Sequence, residues 1–137
     1  MCRNFNLNEF VQAYAECALW SSIECDEEGN NCRPLDEDND IDDIAPECMT
    51  AMRATCTDFV KSNHADLQEY CTRMRCGQWS GEARAGHDFW LTRNGHGAGF
   101  WDRGLGDLGK RLSDAAKVYS SVDLYVGDDG RVYGETQ

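Results

Sequence analysis

The chain has 137 residues, 41% of them hydrophobic, and a formal net charge of −12. That length suits one domain burying about two-thirds of its unfolded surface, and four tryptophans argue for a packed globule rather than a disordered tail. No run reaches the roughly 18 apolar residues of a membrane span, and the segment Met1–Phe10 is too polar for a signal-peptide core. The expected location is the cytoplasm.

Residues 5–22 place Phe5, Leu7, Phe10, Val11, Tyr14, Cys17, Ala18 and Trp20 at steps of three and four, which predicts an amphipathic helix capped by Asn6 or Asn8. Residues 23–43 are acidic and turn-rich and read as a long loop, suggesting function or disorder. Between Glu24 and Glu47 stand eleven acids and one base, Arg33: a local charge of −10, leaving −2 for the rest. From Arg73 to Arg111 the sign reverses, seven bases against four acids. Such an arm should repel nucleic acid and membranes and attract basic protein surfaces.

A second helix is expected from Asp42–Pro46 to Lys61, since proline and acids suit a first turn. A third, capped by Ser62 or Asn63, should run through Leu67, Tyr70, Cys71 and Met74 and end at Gly77. Farther on, Leu105 to Tyr119 reads as a helix, and Val122–Val126, a Gly-Asp-Asp-Gly turn and Arg131–Tyr133 as a β-hairpin.

The block between them, Gly86-His-Asp-Phe-Trp-Leu-Thr-Arg-Asn-Gly-His-Gly-Ala-Gly-Phe-Trp-Asp-Arg-Gly104, holds two of the three histidines and two of the four tryptophans. Asn94-Gly95 between aromatic runs predicts another hairpin. Its alternation places His87, Phe89, Leu91, Arg93, His96, Phe100 and Asp102 on one face. Asp88, Trp90, Thr92, Trp101 and Arg103 fall on the other, and a four-residue turn sets Asp88 opposite Arg103. The expected fold is α+β in a single domain, 1–137. Its helical part (1–76) carries the acidic loop 23–43 and packs on a small antiparallel sheet of two hairpins with one helix between them (77–137).

The expected function is non-enzymatic binding. Asp26, Glu27, Glu28, Asp36, Glu37, Asp38, Asp40, Asp42 and Asp43 would meet a basic partner surface. Trp90, Arg93, Trp101 and Arg103 would give a second, more rigid contact, since Trp and Arg are common interface anchors. A bland alternative is that the ribbon's outer face is merely solvated, with Asp88–Arg103 a surface ion pair. The rival from another class is a metal-assisted hydrolase using His87, His96, Asp88 and Asp102, although no serine or cysteine in the ribbon is placed as a nucleophile. Stacking of single-stranded nucleic acid on the tryptophans is a third reading, opposed by the total charge.

Without a secreted context, the eight cysteines read as reduced structural thiols before zinc ligands, and as zinc ligands before disulfides. Cys71 and Cys76, like Cys25 and Cys32, lack the tight zinc-knuckle spacing. Asp36, Asp38, Asp40, Asp42 and Glu47 match a calcium-loop spacing, but Ile41 stands where that loop wants glycine. No cofactor is therefore expected, with zinc or calcium as the alternatives.

The block 85–104 resembles one found in small uncharacterised proteins of bacteriophages and prophages. The likeness extends to Asp107–Tyr119, Leu124–Gly130 and, more loosely, Ile41–Glu47. It implies a phage setting with no defined activity or catalytic residues. In that setting a small acidic protein is expected to occupy the nucleic-acid-binding surface of a host complex, such as a CRISPR or restriction-type defence system, and inhibit it.

Overall fold

The computed structural model describes residues 5–74 and 80–134. The first helix, α1, spans Leu7–Ser21, with the Asn6 side chain accepting from the Glu9 amide at 3.1 Å. Two-residue strands β1 (Ile23–Glu24) and β2 (Arg33–Pro34) pair antiparallel in the acidic segment, followed by 3₁₀ turns at Leu35–Glu37 and Ile41–Asp43. Helices α2 (Pro46–Ser62) and α3 (His64–Met74) come next and start near their expected positions; the expected end of the third helix at Gly77 lies outside the described residues. The rest is α4 (Gly81–Arg93), a 3₁₀ turn at Phe100–Asp102, α5 (Asp107–Lys117), and a hairpin of β3 (Tyr125–Val126) with β4 (Val132–Tyr133). The class is α+β, with two small antiparallel ladders.

The expected ribbon at 86–104 is not formed: its first arm is the C-terminal part of α4, and its second is a loop with the 3₁₀ turn at Phe100–Asp102. Ser80 caps α4, accepting from the Ala83 amide at 3.1 Å; Glu82 lies in its first turn and Arg93 in its last. Asn94 is its C-cap, and Gly95 follows at φ +71° with its amide on the Thr92 carbonyl and that of His96 on Leu91. Asn-Gly thus ends a helix here rather than turning a hairpin. Ten of the thirteen residues of α4 are buried, so the helix has no polar face to reveal its period. Of the two ladders, the C-terminal one stands where expected, while the other closes the acidic segment.

Helix α4 is the central strut and packs most extensively on α1. Gly86 permits that contact: a Cβ there would meet the Phe10 carbonyl oxygen at 2.1 Å. Around the crossing, Phe89 stacks on Phe59 at 4.0 Å between centroids, flanked by Phe10, Tyr14, Tyr119 and, beyond Phe59, Phe100. The C-terminal ladder is tied to the start of α2 by a parallel bridge, Ile44 to Val132, and by the Ala45 amide on the Val132 carbonyl at 2.8 Å. Cys17, Cys48, Cys56 and Cys71 are buried in this core, as structural thiols should be.

Cys25 and Cys32 depart from the thiol reading, for they form a disulfide. The turn that opposes Glu24 and Arg33 across the ladder also brings these neighbours together. Such bonds persist in oxidising surroundings and are rare in reducing ones. No helix among the described residues is long and apolar enough to cross a membrane.

Candidate functional site

The acidic segment has a defined course. Asp26 organises its tip, accepting from the backbone amides of Glu28 and Asn30 at 3.1 and 2.7 Å and from the Asn31 amide side chain at 2.9 Å. Those bonds, Asn30 foremost, hold the Asp26 carboxyl below the usual carboxylate range. Asp40 and Asp43 form a capping box: Asp43 Oδ2 accepts from the Asp40 amide and Asp40 Oδ1 from the Asp42 amide, both at 2.9 Å. Leu35 plugs the segment into the core, and its amide bonds to the Ser22 carbonyl at 2.9 Å.

Arg33, the base of the segment, pairs with Asp38 and lies 3.6 Å from Glu37. Hydrogen bonds to backbone amides order a carboxylate without neutralising it. Glu27, Glu28, Asp36, Asp40 and Asp42 remain exposed, with Asp43 half-buried. Asp36, Asp40 and Asp42 line a groove of about 590 Å³ together with Glu16 of α1.

A second polar group forms around Asp88. Its side chain is 2% exposed, yet it receives both Nε (3.1 Å) and Nη2 (2.6 Å) of Arg103 and the Tyr70 hydroxyl at 2.5 Å. His87 Nδ1 stands 4.0 Å from its Oδ1, too far for a good hydrogen bond but close enough to act electrostatically. Burial pushes the Asp88 carboxyl up; His87, Arg103 and Tyr70 outweigh burial and hold it below its usual range. The same burial, then the Asp88 charge, raises the Tyr70 hydroxyl well above normal. Nearby, burial and the Asp88 charge push the Cys17 thiol up to about 12, so it is no nucleophile at neutral pH.

The expected rigid contact surface is dismantled by these positions. Trp90 is buried, its indole N–H donating to Ser21 Oγ at 2.7 Å. Arg93 is 8% exposed and serves as a strut, donating to the Ser120 carbonyl and, at 2.8 Å, to the Tyr14 hydroxyl. Trp101 is 52% exposed, and Arg103 is committed to Asp88. The Asp88–Arg103 pair exists, but it joins a buried carboxylate on a helix to a half-buried arginine after a 3₁₀ turn and is not set across a ribbon. The hydrolase group is not assembled either. His87 neighbours Asp88 and Trp20, His96 lines a different pocket beside Ser121–Leu124, and Asp102 is exposed on its own turn.

Neither metal reading gains a centre. Among the described residues no three His, Cys, Asp or Glu side chains converge to hold an ion. Cys71 is buried, and Cys76 lies outside the described residues. The calcium-loop spacing is spent otherwise: Asp38 pairs with Arg33 and Asp40 caps a turn.

Trp20, Glu16 and Arg84 belong to the polar surface and were not among the expected site residues. Trp20 is 56% exposed and lies against His87 at 5.8 Å between ring centroids. Its spacing from Ala13, Glu16 and Cys17 continues a helical stripe, and all four line one groove with Asp36 and His87. That stripe was legible in the sequence beside the core-facing one through Phe10 and Tyr14, the two meeting at Cys17. No protein-family model, curated protein or solved structure matches this chain.

Proposed function

We propose that this chain is a non-enzymatic accessory protein, of the phage or prophage type its sequence block resembles, that binds a basic surface of a host macromolecule through its acidic arm. The partner proposed is a nucleic-acid-binding complex, a defence complex of CRISPR or restriction type among them, whose groove the arm occupies in place of nucleic acid. The observation that carries this reading is that the arm is ordered without being neutralised. Asp26, Asp40 and Asp43 are fixed by backbone amides, Leu35 anchors the segment in the core, and the segment's sequence sets one base, Arg33, against eleven acids. Fixed charge of one sign loses little conformational entropy on docking and steers encounter with the opposite sign.

The proposed site of action is the host cytoplasm, where thiol reductants would act on Cys25–Cys32. The ladder, the capping box and Leu35 are the arm's remaining ties there. The experiment is affinity capture from the host at low and high salt, with duplex DNA as competitor. Supporting partners are nucleic-acid-binding proteins released by salt and by DNA. Retention of the same partners by a variant with Glu27, Asp36, Asp40 and Asp42 changed to their amides would refute the proposal.

A further inference from the structure

Beside the acidic arm lies a pocket of the opposite character. Arg84, His87 and Asp88 fall at i, i+3 and i+4 on one face of α4, and with Arg103 they line a cavity of about 180 Å³. The carboxylate in this pocket is already committed, since both Asp88 oxygens accept from Arg103 and one also from Tyr70. Arg84 Nε is buried and has no hydrogen-bond partner among the described residues. A buried guanidinium N–H without an acceptor is costly, so Arg84 keeps unspent donor capacity beside the cavity that its side chain lines. Counting Arg84 and Arg103 against Asp88 leaves a local positive charge, in a chain whose total is −12.

We infer that this pocket binds a small oxyanion, the phosphate or carboxylate end of a ligand, with Arg84 as its principal donor and Arg103, held in place by Asp88, beside it. The pocket's size suits one such group rather than a polymer. Its neighbourhood argues the same way. The groove that shares His87 with the pocket also contains Glu16 and Asp36, which would repel a second negative charge. The remainder of the ligand would leave past His87 and the exposed face of Trp20, so an uncharged planar group suits that path. This site differs from the acidic arm in place and in sign, so each stands or falls separately.

Inorganic phosphate and acetate, titrated separately into the isotopically labelled chain, test the inference. The His87 imidazole and Trp20 indole resonances should move saturably at about 1–10 mM, while those of His96, in another pocket, stay put. Phosphate acting alone would identify a phosphate-bearing ligand; acetate acting as well would admit a carboxylate. Arg84→Gln should weaken the response by about tenfold. Arg84→Lys keeps the charge but lacks Nε, and should also weaken it even if the glutamine variant does not fold. No saturable response to either anion, or equal responses from wild type and Arg84→Lys, would overturn the inference.

Discussion

Replacing Gly86 with alanine separates the helical reading of residues 81–93 from the ribbon reading by the sign of its effect. In an exposed helix the change would stabilise by about 1 kcal/mol, because glycine is the poorer helix former. Here the new Cβ would lie 2.1 Å from the Phe10 carbonyl oxygen, 0.9 Å short of the 3.0 Å below which real Cβ contacts essentially never fall. The atom it meets is backbone in the first turn of α1, so no side chain can swing aside. Helices α1 and α4 must part, loosening Phe10, Tyr14 and Phe89 together. Overpacking costs about 1–3 kcal/mol and the resulting gaps more, so a net loss of about 2–4 kcal/mol is expected after the propensity gain. Urea denaturation gives that difference directly, and the melting temperature should fall by roughly 10 °C. A Gly86→Ala variant as stable as wild type, or more so, would refute the close crossing of α1 and α4.

Other expectations follow from the polar groups. Asp88→Ala leaves Arg103 and Tyr70 without their shared acceptor, and should cost about 3 kcal/mol in a urea titration at neutral pH; a loss under about 1 kcal/mol would contradict the buried pair. Because the folded Asp88 carboxyl titrates below its unfolded value, its contribution is full above about pH 4 and fades as pH falls through the folded value. The variant should therefore show a flatter acid limb than wild type, and parallel limbs would count against this assignment. Replacing Cys25 and Cys32 with serine removes a short cross-link worth about 2.5 kcal/mol to the arm. Amide exchange over residues 24–34 should quicken while α4 stays protected, and unchanged exchange in the arm would show the bond to be dispensable.

What the sequence discloses is set by which elements have one wet face. Helices α1, α2 and α5 each alternate core and solvent, so their period is plain; the C-terminal ladder announces itself through Gly127–Gly130. Helix α4 has no such contrast, because Phe89, Trp90, Leu91, Thr92 and Arg93 are buried in succession. Its ends were nonetheless written in Ser80, Glu82, Arg93 and Asn94-Gly95, a set of helix boundary signals that outranked the local hairpin motif. The charge asymmetry was fully legible, since it depends on composition alone. The ordering of the arm was not, because Leu35, the Glu24–Arg33 register and the disulfide act only once the chain has turned. Arg84 escaped notice for the same reason: its missing acceptor is a property of the pocket, not of its neighbours in sequence.

The most direct test of the ordered acidic arm as a binding element is displacement of duplex DNA from a captured host partner, followed by fluorescence anisotropy across a range of salt. Wild type should displace the DNA at low salt with an apparent affinity that falls steeply as salt rises, and the amide variant at Glu27, Asp36, Asp40 and Asp42 should lose both the affinity and most of the slope. Equal displacement by the two proteins, with the same salt dependence, would contradict the account.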